Sequence, residues 1–313
     1  MPRTTPPTVT TVQHPFPGQT TRPDDTRRSG VTEHRLRVQG YRYAARVVRS
    51  AAPVAEPALV LGGSSQDRYS WTRHERRLAE VCDVVTADLP GYGSADFLPA
   101  DRGTDFLAEA VAHLLDELGL PRVNLVGACF GGAVGLRVAQ RHPQRIARLM
   151  LVGMTRAIPA DYAAAMVRWD GLIRAGDTAT VARELADRFM SPAGAGTVRR
   201  HAAVSRLVHQ QIAGQSPEEM AKSAEHNTRL MRHDWYRADP LPAVPTLVVT
   251  GEHDTLTTPA MGRDLAAHLP GARFLTVRET DHLAPIERIS DFAELMARFC
   301  AGERYDDLPY LAP

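Results

Sequence analysis

Three residue types that together perform acyl chemistry occur in a definite order along the chain, Cys129, Asp254 and His282. Cys129 lies in Val123-Asn124-Leu125-Val126-Gly127-Ala128-Cys129-Phe130-Gly131-Gly132, an apolar β-type run, a glycine-rich turn and the start of a helical stretch. A nucleophile on such a strand-to-helix elbow takes an unfavourable backbone conformation, and its neighbours two positions away must be small to let strand and helix approach. Gly127 and Gly131 supply that room. Cysteine at a helix N-terminus beside a histidine is also the setting in which thiols ionise most readily. Attack by such a group on an ester or thioester gives a thioester acyl-enzyme, which stays activated toward water, an alcohol or an amine.

The partners of an elbow nucleophile follow it in the order acid, then histidine. After the apolar run Pro245 to Thr250 comes Gly251-Glu252-His253-Asp254-Thr255, and after Arg273 to Arg278 comes Glu279-Thr280-Asp281-His282-Leu283-Ala284-Pro285. Asp254 and His282 are the candidates for orienting acid and base. Glu252 reads as a solvated loop charge, Asp281 as a local hydrogen-bonding group and His253 as a loop residue. The oxyanion formed on attack needs fixed backbone N–H donors. Phe130, next after the cysteine, supplies one. Leu61-Gly62-Gly63-Ser64-Ser65-Gln66 supplies the other, and the later Tyr69-Ser70-Trp71 places it at Ser64.

Positioning these residues requires a framework, and the apolar pattern describes one. Short β-branched or leucine-rich runs recur at 43–48, 58–61, 84–87, 123–126, 149–152, 246–250 and 274–277, with helical periodicity at 105–118, 133–140 and 289–300. Continuous apolar strands alternating with helices predict an α/β fold with a mostly parallel central sheet flanked by helices. Between Ala157 and Asp239 the alternation stops and amphipathic helical stretches such as Tyr162 to Ile173 and Thr178 to Phe189 take over. The expected organisation is a flexible N-terminal arm over 1–32, a core part over 33–156, an inserted helical cap over 157–239 and a second core part over 240–313. Residues 1–32 are rich in Thr, Pro and Arg and poor in large apolar side chains, too little to offset the entropy of ordering them.

The cap is expected to set the substrate. Gly63 and Gln66 from the oxyanion loop, with Trp169, Met231 and Trp235 from the cap, are the candidate substrate-binding residues; Met166 and Met190 are further cap residues of the same kind. At such spacing side chains also serve to pack cap helices on one another. His201, His209, His226 and His233 are dispersed, so no metal site and no cofactor are expected.

Composition narrows the partners. The 313 residues carry 37 basic and 36 acidic side chains for a net charge of +1, so no field of one sign exists to hold a nucleic acid or an anionic membrane. A small-molecule or carrier-bound acyl substrate is the expected partner. Three cysteines, Cys82, Cys129 and Cys300, are far apart in sequence with no CxxC pair, which fits free thiols in a reducing cytoplasm. No apolar run approaches the roughly 18 residues of a spanning helix, and the N-terminus has no apolar secretion segment.

From about 40 to 300 the chain resembles the α/β-hydrolase superfamily, through LGGSS, DLPGYGSAD, VGACFGG, HPQRIARLMLVG, GEHDTLTTP and TDHLAPIE in the expected order. The chain departs from the common pattern in two ways. Cys129 replaces the usual serine, as in members similar to dienelactone hydrolase, and Gly62 stands where a histidine often opens the oxyanion loop. The resemblance implies an esterase, thioesterase or acyltransferase, in a setting such as secondary metabolism. An alternative it also implies is a non-hydrolytic lyase with histidine as base, since similar members in polyketide pathways eliminate acetate from an acetylated tetronate. A third is a small-molecule-binding protein that has lost turnover. A carboxylate-dependent dehalogenase is disfavoured by Cys129.

Overall fold

The computed structural model describes residues 30–238 and 240–313. Among them, β1 (Val31–Val38), β2 (Tyr41–Val48), β3 (Ala58–Leu61), β4 (Val84–Asp88), β5 (Val123–Ala128), β6 (Ile146–Val152), β7 (Thr246–Gly251), β8 (Arg273–Val277) and β9 (Leu311–Ala312) form one sheet. Its order is β1-β2-β4-β3-β5-β6-β7-β8-β9. The five contacts from β4 through β8 are parallel, while β1, β2 and β9 pair antiparallel at the two edges. The central strands β3, β4 and β5 are buried at every position, which is why they are continuous apolar runs without alternation.

Helices cover both faces. On one, α2 (Thr104–Glu117), α3 (Phe130–Arg141) and α8 (Pro259–Ala267) pack Leu107, Leu114, Val134, Leu136 and Leu265 against the sheet. On the other, α1 (Thr72–Leu78) and α10 (Ile289–Ala301) bury Leu78, Phe292, Leu295 and Met296. Cys82 and Cys300 lie within this second layer, both buried.

Between β6 and β7 the chain leaves the sheet and forms α4 (Ala160–Arg174), α5 (Thr178–Phe189), α6 (His201–Ala213) and α7 (Pro217–Arg232). The first three enclose an apolar centre of their own around Trp169, Val181, Leu185 and Val204. Helix α7 is bound differently, through buried polar side chains one or two turns apart. Lys222 Nζ donates to the Gly93 and Ala95 carbonyls at 3.0 and 2.7 Å, and Arg229 donates to the carbonyls of Arg102 at 2.6 Å and Leu98 at 2.8 Å. Between them the His226 ring, fully buried, stacks on Phe130 at 4.3 Å and meets Tyr92 at 4.4 Å. One cap helix is thus fixed directly behind the elbow.

Two boundaries differ from the sequence expectation. Val31 and Thr32, assigned to a flexible arm, are the first residues of β1; this edge strand exposes much of its length and lacks a continuous apolar signal. Residues 1–29 of that arm lie outside the described residues. Helix α3 begins at Phe130 rather than Ala133, because Gly131 and Gly132 are helical residues kept small by close packing and not part of a turn.

The loops after β3 and β4 are tied together by Asp88 at the end of β4. Its fully buried carboxylate accepts from Arg68 N at 2.7 Å, Ser94 N at 3.0 Å and Ser94 Oγ at 2.8 Å, and forms an ion pair with the Arg68 guanidinium. Removing one member of such a buried pair leaves the other charge uncompensated. Asp88→Ala is therefore expected to lower unfolding free energy by about 3–5 kcal/mol, read from urea denaturation, whereas a loss under about 1 kcal/mol would show that Glu33, 2.9 Å from Arg68, or solvent is enough to relieve the Arg68 charge.

Candidate active site

The site is assembled where β3, β5, β6, β7 and β8 end. At the end of β5 the chain reverses into α3 through Cys129, whose φ of 50° and ψ of −119° are outside the regions a side-chain-bearing residue normally occupies. Close packing holds it there. A Cβ on Gly127 would lie 2.6 Å from the Gly131 carbonyl oxygen and 2.7 Å from the Gly132 Cα, while one on Gly131 would run into the carbonyl oxygens of Leu61 and Gly62. Phe130 opens α3, so its N–H is among those without an intrahelical acceptor. The loop from Gly62 to Gln66 passes beside the cysteine, since a Cβ on Gly63 would lie 3.6 Å from Cys129 Cβ.

Asp254 follows β7. Its Oδ1 accepts from the N–H groups of Leu256 and Thr257, both at 2.8 Å, and its Oδ2 accepts from Thr257 Oγ1 at 2.7 Å and lies 2.9 Å from His282 Nδ1. The carboxylate is therefore oriented by its own turn before it meets the imidazole. Thr257, not singled out from the sequence, also approaches His282 Nδ1 at 3.2 Å. Burial opposes charging of the His282 ring. The Asp254 carboxylate and the hydrogen bond between them, joined by the Cys129 thiol, outweigh that and raise its pKa well above the ordinary value. Phe189 from the cap stacks over the imidazole at 5.4 Å.

Two more carboxyl groups brace the histidine loop. Asp281 accepts from His282 N at 2.8 Å and from Ser191 N of the cap at 2.6 Å. It therefore acts as a local hydrogen-bonding group and also docks the cap. Glu287, 1% exposed, accepts from Asp281 N at 2.8 Å; burial, reinforced by the negative Asp281, pushes its carboxyl up to about 8. Glu252 is exposed and accepts from Glu279 N at 2.8 Å, and His253 is half-buried in the adjoining loop.

A cavity opens above Cys129, with about 690 Å³ of empty space continuous with solvent. The core contributes Gly63, Ser64, Gln66, Trp71 and Val152; the cap contributes Phe189, Val208, Gln211 and Ile212. Leu283, Pro285 and Ile286 complete the wall beside His282. Of the expected substrate-binding residues, Gly63 and Gln66 are in this wall. Gln66 is already engaged, its Oε1 accepting from Gly63 N at 2.8 Å and filling the space beside Gly62.

The expected cap residues lie elsewhere, which corrects the sequence reading. Trp169 is buried in the cap's own apolar centre with Met166 and Met190, its indole N–H donating to Glu184 at 2.7 Å. Trp235 is buried against the core and donates to the Thr155 carbonyl at 3.2 Å. Met231 is on the outer surface, 40% exposed. Packing accounts for the two tryptophans, and the wall is formed instead by smaller aliphatics of α6 whose helical spacing resembles that of any amphipathic helix.

A family model for the alpha/beta hydrolase fold matches residues 57–289. The chain belongs to that family. It is 28% identical over 248 residues to the dihydrolipoyllysine-residue acetyltransferase component of an acetoin cleaving system from Pseudomonas putida, covering 78% of this chain and spanning 63% of that relative. It is 26% identical over 263 residues to a pimeloyl-[acyl-carrier protein] methyl ester esterase from Neisseria meningitidis, covering 81% of this chain and 97% of the relative. The enol-lactonase structure from Burkholderia xenovorans superimposes with a TM-score of 0.73 at 24% identity, over 85% of this chain and 99% of the other, a likeness of fold. This alpha/beta hydrolase is thus related to ester-cleaving enzymes. No described helix is long and apolar enough to cross a membrane.

Two expectations follow from the site's electrostatics and exposure. Glu287 keeps its proton in the folded state up to about pH 8, whereas in the unfolded chain it ionises near 4.5, so its contribution to stability falls as pH rises across that window. His282 adds a fall of the same sign, its stabilisation being complete below about 6.5 and lost as pH rises through its raised pKa. Glu287→Gln should therefore flatten the decline of the urea midpoint between pH 6 and pH 8 relative to the wild type, and parallel profiles would contradict the assignment. Cys129 is half-buried at the cavity while Cys82 and Cys300 are buried, so iodoacetamide at pH 7 should label Cys129 first. Equal labelling of all three in peptide maps would contradict its accessible, activated setting.

Proposed function

We propose that this alpha/beta hydrolase processes an ester or thioester through a covalent thioester on Cys129, with His282 as proton carrier and Asp254 as its orienting acid. One observation carries the reading: the ring held 2.9 Å from Asp254 through Nδ1 lines the same apolar cavity as Cys129 at its elbow, close enough for the thiol to help raise the ring's pKa. The ester-cleaving relative supports the same reaction class. Hydrolysis and transfer to another acceptor share the first half-reaction, and a free or carrier-bound acyl substrate in secondary metabolism belongs to the same proposal.

In that half-reaction the proton of the thiol is held on the His282 ring, whose raised pKa favours the charged form, and the sulfur bonds to the acyl carbon. Negative charge on the carbonyl oxygen is met by the N–H groups of Phe130 and Ser64. Collapse breaks the bond to the leaving group, which departs with the proton from the imidazolium, and the acyl group remains on sulfur. Water or another acceptor then gives its proton to His282 while adding to the thioester. The second collapse returns the proton to sulfur and frees the product. Asp254 fixes the ring through Nδ1 and stabilises its charge.

On an activated ester, Cys129→Ala and His282→Ala should each lower kcat/KM by roughly a thousandfold or more, and wild-type enzyme should carry the acyl mass on Cys129 in rapid-quench mass spectrometry. A Cys129→Ala variant that keeps most of its turnover while His282→Ala collapses would contradict the covalent route and leave histidine as a base that acts without the thiol.

A further inference from the structure

We infer that the site accepts a neutral, apolar acyl group and rejects one that ends in a carboxylate, and that the wall formed by α6 makes this selection. The inference rests on the acyl reading above. Phe189, Val208 and Ile212 of the cap face Trp71, Leu283 and Ile286 across the cavity, so its walls are hydrocarbon on both sides. Among the described residues that line it there is no Lys or Arg, and the only titratable side chains are Cys129 and His282, both committed to the reaction.

Several basic groups of the surrounding elements are engaged elsewhere. Lys222 is bound to the Gly93 and Ala95 carbonyls and to Glu218. Arg188 pairs with Asp161 at 2.5 Å, and Arg68 pairs with Asp88 and Glu33. Arg200, on the exposed rim, reaches the Ile286 carbonyl at 3.5 Å. The nearby buried charge is of the opposite sign: Asp254 and Asp281 stand directly behind the His282 ring and its backbone. A carboxylate brought into this cavity would lose its hydration and find no lysine or arginine, while the one positive ring, His282, is already paired with Asp254.

Gln211 is the residue through which the selection can be changed. It lines the cavity from α6, its side chain is otherwise exposed, and its amide N–H donates to the Ser65 carbonyl at 3.2 Å. Arginine there can keep that hydrogen bond from one N–H while offering a second to an anion, and exposure leaves room for the longer side chain.

The test compares p-nitrophenyl hexanoate with the mono-p-nitrophenyl ester of adipate, chains of equal carbon count that differ by a terminal carboxylate. Wild-type enzyme should prefer the hexanoate by roughly 100-fold in kcat/KM, and Gln211→Arg should narrow that preference about tenfold, with Cys129 acyl mass adducts tracking both. Equal or greater kcat/KM for the adipate ester in the wild type, with an acyl adduct formed, would overturn this inference and leave the acyl reading standing. A preference unchanged in folded Gln211→Arg would overturn the role of α6. No adduct and no turnover with either ester would overturn the acyl reading and the inference with it.

Discussion

The carbonyl oxygens of Leu61 and Gly62 pass so close to Gly131 that a Cβ there would collide with both, and Gly127 is pressed as closely against Gly131 and Gly132. Every other feature of the site follows from this contact. It brings the first turn of α3 against the end of β3, leaving Cys129 in a backbone conformation that a residue with a side chain adopts only under constraint. The thiol is thereby turned outward at the mouth of the sheet. The same contact sets the N–H of Phe130 beside the loop that carries Ser64. Strain at one residue is held by backbone packing on both sides, so the geometry exists before any substrate arrives.

Around that fixed point the structure adds layers that act on the histidine. The turn after Asp254 saturates one carboxylate oxygen with two N–H groups and leaves the other to His282 and Thr257. Asp281 then joins the His282 backbone to Ser191, so the cap and the histidine loop are oriented by one side chain. Its own N–H is received by Glu287, whose buried carboxyl favours the protonated form. Behind the elbow, His226 of α7 fills the space against Phe130. The cap therefore helps to hold His282 and the elbow in place as well as covering them.

Most of the framework could be read from sequence because its signals are local. Runs such as Ala58 to Leu61 and Val123 to Val126 are buried on both faces and hence apolar throughout, and the spacing of Gly127 and Gly131 around Cys129 is dictated by a steric rule. The succession of cysteine, aspartate and histidine followed from the order in which strands end. The cavity wall could not be read in this way. Trp169 and Trp235 are large enough to attract attention, yet both are spent on packing, while Val208 and Ile212 face the cavity from a helix whose pattern shows only that one side is apolar. Thr257 was legible in principle, three residues after Asp254, where a side chain can return to cap its own turn. Glu287 gave no local sign, since its burial depends on the packing of the cap and histidine loops.

In the proposed reaction Cys129, His282 and the N–H donors of Phe130 and Ser64 form one preorganised centre for a tetrahedral oxyanion. A crystal structure of the enzyme treated with an apolar aldehyde tests it most directly, because an aldehyde adds to a thiol to give a hemithioacetal that resembles the intermediate without a group to expel. The expected density shows a carbon–sulfur bond at Cys129, the new oxygen within hydrogen-bond distance of Phe130 N and Ser64 N, and the alkyl chain against Val208 and Ile212. An aldehyde bound without that bond, or a bonded adduct whose oxygen points away from both amides, would contradict it.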